Sequence, residues 1–323
     1  MRKLFIFSLI AVLAALGSNA GAQTKTVRLS IATGGTGGVF YPLGGGMATL
    51  ISKHIPYAEA TSEVTTASVD NCRLLGARKA EFALVSVDAA VDAYRGTGPF
   101  KEKMPLRSLA VVFKNSMHLV ALDGKGINKV TDLKGKRVSI GSPGGATEVW
   151  VLRILEAAGL DPNKDIKKER LGASESAGAL KDGKIDAYFF GGGYPTSSIT
   201  DVAATPGLRV KLIPHDEVIP RMKEKYGPIY SRGVLPAKTY PGQDQDVPVS
   251  IAWVLFLCHE KMDEKVVYDV IRVFFDRKAE LVLIHPEANH LKLESQVGES
   301  PLPYHPGALR FYKEKGVDAK SSG

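Results

Sequence analysis

The sequence predicts an α/β fold of two lobes, each with a mostly parallel sheet, joined by a hinge. Three observations predict it. Short β-rich runs alternate with helical patterns in two successive series; a turn-rich segment separates the series; and a long apolar run late in the chain leads back toward the first. The length of 323 residues strains a single core and suits two domains. Hydrophobic residues at 44% and charged residues at 24% are ordinary globular values, so neither a disordered nor a fibrous chain is indicated.

The chain opens with Arg2 and Lys3, an uncharged run from Leu4 to Leu16, and the small residues Ala20-Gly21-Ala22. That order is read by signal peptidase, and cleavage is expected after Ala22, making residues 1–22 a leader. The leader's apolar run falls short of the roughly 20 residues that cross a bilayer. No later stretch reaches spanning length without a charge or turn signal, so no membrane helix is expected. No cysteine near the cut could carry a lipid anchor.

In the first series, Thr26 to Ala32 reads as a strand, Phe40 to His54 as a helix, Ala58 to Thr66 as a strand, and Ser68 to Arg78 as a helix with Ser68 as its cap. Phe82 to Val85, Asp88 to Tyr94 and Leu109 to Phe113 continue as strand, helix and strand. The turn Asp123-Gly124-Lys125-Gly126 precedes the second series. There Arg137 to Ile140 is a strand, and Val151, Ile154, Leu155 and Ala158 form one buried helix stripe ended by Gly159. Strand Lys167 to Leu171, helix Ser174 to Lys181, strand Ala187 to Phe190, helix Ile199 to Ala204 and strand Leu208 to Ile213 follow. After loop-like sequence around Pro236 and Pro241-Gly242, the apolar run Val249 to Cys258 leads to a helix over Asp263 to Ile284 and a short final helix. Met117 to Leu122 reads as the outward crossing between lobes, and the late run as the return, placing 23–118 and 246–323 in lobe 1 and 119–245 in lobe 2.

Several chemistries are excluded. Phe40 stands where a dinucleotide fingerprint needs its third glycine, and none of the Gly-Lys pairs is followed by Ser or Thr as a phosphate-cradling loop requires. No Gly-x-Ser-x-Gly, His-Glu-x-x-His or Cys-x-x-Cys occurs, so no catalytic residue, metal or cofactor is expected. The net charge of +8, of which the leader's Arg2 and Lys3 supply two, is spread over helix faces, without the concentrated stripe that nucleic acid requires. Cys72 and Cys258 allow one disulfide in an oxidising compartment, but their apolar surroundings favour two buried thiols, needed by no binding site.

Four loops rich in Gly and hydroxyl residues stand at the carboxyl ends of predicted strands: Thr33 to Gly38, Ser86 to Asp88, Gly141 to Thr147 and Gly191 to Thr196. Open parallel sheets bind ligands at that end, and helix N-termini following such loops attract carboxylates.

At these residues the chain resembles the TAXI family of TRAP-associated extracytoplasmic solute receptors. The likeness rests on Thr33-Gly34-Gly35-Thr36-Gly37-Gly38-Val39-Phe40-Tyr41-Pro42-Leu43-Gly44, on Ser68-Val69-Asp70-Asn71 with Arg73-Leu74-Leu75, on Asp132-Leu133-Lys134-Gly135-Lys136-Arg137-Val138, and on Pro303-Tyr304-His305-Pro306-Gly307-Ala308. It implies a type II periplasmic-binding fold, a periplasmic location, and a monomer that captures a small anionic solute such as glutamate, glutamine or a related dicarboxylate and hands it to a TRAP membrane permease. It places Thr36, Gly37, Gly38 and Tyr41 on the first-lobe wall with Ser86 and Asp88 behind them, and Gly144, Thr147, Gly193, Tyr194 and Pro195 on the second. Two departures stand out: Ala67 occupies the family's glycine before Ser68, and Gly145-Ala146 replaces Ser-Gly in the Pro143 loop. A sensing subunit and an enzyme on the same fold are the alternatives.

Overall fold

The computed structural model describes residues 26–322, so the leader and its cleavage after Ala22 lie outside the described residues. The first series folds as β1 (Val27–Ala32), α1 (Phe40–His54), β2 (Ala58–Glu63), α2 (Ser68–Gly76), β3 (Phe82–Ser86) and α3 (Val87–Arg95). β1 runs parallel to β2 on one side and to β3 on the other. The second contains β5 (Arg137–Ser139), α4 (Ala146–Ala157), β6 (Lys167–Glu169), α5 (Ala173–Lys181) and β7 (Ala187–Gly192), with β5 parallel to both of its neighbours. α6 (Ser197–Ala203), β8 (Val210–Leu212), α7 (Ile219–Tyr226) and β9 (Ser231–Leu235) complete it.

Two long antiparallel strands fuse the halves: β4 (Leu106–Leu122), of 17 residues, and β10 (Val247–His259), of 13. The sheet order is β2-β1-β3-β10-β4-β7-β5-β6, with β8 on β4 and β9 on β10. β4 pairs with β10 as far as Ser116 and with β7 from Ser116 onward. β10 pairs with β9 over Val247–Ile251 and with β3 over Val254–Cys258. Each strand thus changes partners midway, which makes it a natural hinge. The sequence reads this as a strand at Leu109–Phe113 and a separate crossing at Met117–Leu122, because Lys114, Asn115 and Ser116 interrupt the apolar run. Pairing with β10 carries them: Lys114 lies over the Trp253 ring at 4.5 Å, and Asn115 points to the opposite face.

The long C-terminal helix divides into α8 (Glu264–Asp276) and α9 (Lys278–Ile284). Asp263 caps α8 by accepting the Val266 N–H at 2.9 Å, and Val267, Val270, Ile271 and Phe274 are buried. The break at Arg277 redirects α9 so that Leu281 and Ile284 pack on Gly46 of α1, where a Cβ would overlap Ile284. β11 (Val297–Ser300), α10 (Pro306–Glu314) and β12 (Lys320–Ser321) close the chain. β9 escapes sequence reading because Ser231-Arg232-Gly233 has low strand propensity and is held by β10 alone. Cys72 and Cys258 are free thiols, fully buried, and burial pushes both thiols up. No helix among the described residues is long and apolar enough to cross a membrane.

Candidate functional site

A cavity of about 290 Å³ opens between the two series at the carboxyl ends of β1, β2, β3, β5, β6 and β7. Gly34 to Phe40, Thr65 to Ser68, Ser86 and Asn115 form one wall. Gly141, Ser142, Ala146, Thr147, Trp150, Gly172 to Glu175 and Phe190 to Gly192 form the other. Five helices, α1, α2, α3, α4 and α5, begin at this cavity, each of nine residues or more. The topology causes this, because each βα loop delivers the chain from a strand's carboxyl end into a helix N-terminus. The first-turn N–H groups of Phe40, Ala146, Thr147, Ala173 and Ser174 have no acceptor among the described residues, and the helix dipoles add positive potential there.

The walls already touch. Ser197 Oγ donates to the Gly37 carbonyl at 3.2 Å, and the Gly144 carbonyl accepts the Val69 and Asp70 N–H groups of α2 at 3.1 and 3.2 Å. Gly38 lies so close to Phe190 that a Cβ would stand 3.1 Å from its ring, and a Cβ at Gly37 would overlap Ser174. Glycine is needed in this loop because the opposite wall leaves no room.

Of the residues expected from the sequence, Thr36, Gly37, Gly38, Ser86 and Thr147 line the cavity, Thr147 also accepting the Gly191 N–H at 3.2 Å. The structure does not bring the others to its wall. Tyr41 follows Phe40 on α1, and one residue's rotation carries it to the solvent side, 37% exposed. Asp88, in the first turn of α3, is fully buried, and its carboxyl accepts from Tyr230 Oη at 3.1 Å. Gly144 turns its carbonyl to α2 rather than into the cavity. The Gly193-Tyr194-Pro195 loop turns away: Gly193 packs on Glu287, Tyr194 donates its N–H to Glu287 Oε1 at 2.9 Å, and Pro195 is exposed. Nor does Ser68 cap α2, since its hydroxyl accepts the Ser86 N–H at 3.0 Å and Ala67 precedes the helix.

The lining residues missed from sequence are chiefly Asn115, Trp150, Ser174 and Phe190. A polar Asn in an apolar β4 run was the available signal. Asn115 Oδ1 and Trp150 Nε1 are buried there without hydrogen-bond partners among the described residues, and the Ser86 hydroxyl lies beside the Asp88 carboxyl. Among the described residues the only charged side chain on the wall is Glu175, whose carboxylate accepts the Gly172 N–H at the start of α5. No cluster of metal-ligating side chains occurs among the described residues.

Solved structures share this architecture. The binding protein component of an ABC phosphonate transporter from Pseudomonas aeruginosa superposes with a TM-score of 0.57 at 12% identity, over 83% of this chain and 81% of that one. A putative L-cystine ABC transporter from Listeria monocytogenes gives 0.52 at 19% identity, over 83% and 99%. A protein of Bordetella bronchiseptica RB50 gives 0.51 at 16%, over 91% and 92%. The fold is that of the type II periplasmic-binding proteins. Residues 31–316 match the NMT1-like family, to which the chain therefore belongs.

Proposed function

We propose that the protein is a solute-binding protein of a transport system, which captures a small anionic solute between its lobes and delivers it to a membrane transporter. One observation carries this reading: helix N-termini from both halves of the molecule converge on one interlobe cavity, offering N–H groups and positive dipole ends to a carboxylate without a cationic side chain. The lone carboxylate on the wall is engaged at the start of α5, so no acid–base pair is assembled for catalysis. The structural neighbours named for phosphonate and cystine transport support a transport role.

The likeness of the sequence motifs to TAXI receptors supports the finer assignment: a periplasmic monomer with lobes 23–118 plus 246–323 and 119–245, serving a TRAP permease, with glutamate, glutamine or a related dicarboxylate as solute. Thermal denaturation tests it. A compound bound only by the folded protein at a hundredfold excess over its Kd stabilises it by about 2.7 kcal/mol, which raises Tm by about 4 °C in a chain of this size. Small acids are expected to produce that shift, and sugars and cationic amino acids none. Shifts confined to neutral or cationic compounds would refute the anionic reading.

A further inference from the structure

The cavity is graded in depth. Its mouth carries Thr36, Ser174 and Glu175, all exposed. Its floor carries Ser86, Asn115 and Trp150, which are 1%, 3% and 1% exposed. Asn115 Oδ1 and Trp150 Nε1 have no partner among the described residues, and the Ser86 hydroxyl has only the Asp88 carboxyl beside it; the three come from different elements, the end of β3, the middle of β4 and the second turn of α4. Buried polar atoms are rarely left unpaired, so two together on one cavity wall, with a hydroxyl beside them, mark a place where a ligand completes the hydrogen bonds. Their chemistry specifies that ligand. Indole N–H only donates, whereas the Asn amide and the Ser hydroxyl both donate and accept.

Charge behind the floor decides between a charged and a neutral group. The Trp150 ring lies against Tyr230, 5.3 Å between centroids. Tyr230 Oη donates to Asp88 at 3.1 Å and receives Arg153 Nη1 at 3.0 Å, while Arg153 Nη2 donates to Asp92 at 2.6 Å. This buried set holds two carboxyl groups against one guanidinium, and no cationic side chain of the described residues lines the cavity. Burial pushes the Asp88 carboxyl up, with Arg153 and the Ser86 hydroxyl opposing. An anionic group seated on the floor would enter a region of low dielectric whose one guanidinium is already taken up by Tyr230 and Asp92.

We propose that Ser86, Asn115 and Trp150 form a subsite for an uncharged group that both donates and accepts hydrogen bonds, a carboxamide above all. The solute is then a small carboxylic acid, held by its carboxylate at the N-termini of α1, α4 and α5 and by a neutral polar end at the floor. The inference rests on the solute-binding reading above and narrows its solutes, glutamate, glutamine or a related dicarboxylate, to monocarboxylates with a neutral end.

Near-isosteric pairs test it. Titration calorimetry at neutral pH with glutamine against glutamate, and asparagine against aspartate, changes the charge of one end while nearly preserving shape. The amide of the pair that binds is expected to bind at least about tenfold tighter than its acid, and Asn115→Ala and Ser86→Ala each to weaken the amide by about tenfold, with the far-ultraviolet circular dichroism spectrum and Tm of the unliganded protein retained. Tighter binding of glutamate, aspartate or 2-oxoglutarate than of the amides overturns the subsite while leaving the anionic-solute reading standing. Amide preference unaffected by Asn115→Ala and Ser86→Ala likewise overturns the placement. Binding of none of these acids overturns the solute reading and the subsite together.

Discussion

Ala67 holds φ +81° and ψ −149°, a backbone region that side chains with a Cβ rarely enter. It is also the position where the resembled family carries glycine, so the departure seen in the sequence falls where the backbone is least suited to it. The conformation is fixed on both sides: Thr65 Oγ1 accepts the Ala67 N–H at 3.0 Å, and α2, clasped by Gly144, begins at the next residue. Ala67→Gly is expected to raise the free energy of unfolding by about 1 kcal/mol, strain relief outweighing the added chain entropy; a fall in urea denaturation would show that Ala67 is unstrained. Glu287 is the second residue with a distinct signature. It is 4% exposed, accepts the Tyr194 N–H and lies 3.6 Å from His290, and burial pushes its carboxyl up from 4.5 to about 7. Because the folded protein keeps this proton where the unfolded chain has released it, the associated stability is full below about pH 4.5 and lost as pH rises through about 7. Glu287→Gln removes that loss and is expected to be more stable than the parent at about pH 8 by on the order of 3 kcal/mol, with no difference near pH 4. Equal unfolding curves at both pH values would refute this.

At the scale of elements, α3 and α4 are tied across the interlobe boundary by the buried Arg153–Asp92 pair and its Tyr230–Asp88 extension. Arg153→Ala strands two carboxylates in the interior, and a loss of about 3 kcal/mol on unfolding is expected. A loss below about 1 kcal/mol would mean that water reaches the carboxylates. Nothing in the sequence points to this network, because its members lie far apart along the chain and each reads alone as an ordinary helix residue. Elements formed by local pattern were legible. The extent of α1, the stripe of α4 with its glycine stop, and the βα order follow from periodicity and turn chemistry. β4 and β9 were not, because their extent depends on partners distant in sequence. The same division holds at the site. Loop residues such as Thr36 and Thr147 announce themselves by composition, whereas Asn115 and Trp150 reach the cavity only through the register of β4 and the packing of α4. Asp88 and Tyr41 lie off the cavity wall for a complementary reason: sequence locates a residue near a strand end but not the direction in which its side chain points.

For the whole molecule, β4 and β10 make one continuous sheet of two α/β halves, so any change in the angle between the halves must bend these two strands. Contacts from Gly144 to α2 and from Ser197 to Gly37 join the halves across the cavity mouth, an arrangement that encloses what lies between them. The central claim is that a small acid binds there, and the two tryptophans allow a direct test. Trp150 lines the cavity, whereas Trp253 sits on the other face of the hinge, hydrogen-bonded to Glu299 at 2.6 Å. Replacing Trp253 by Phe leaves Trp150 as the sole indole reporter. Titration of this variant with the tightest-binding acid is expected to give a saturable change in Trp150 fluorescence, with a Kd equal to that found by calorimetry. Heat of binding without any change in Trp150 emission would place the solute elsewhere and contradict the account.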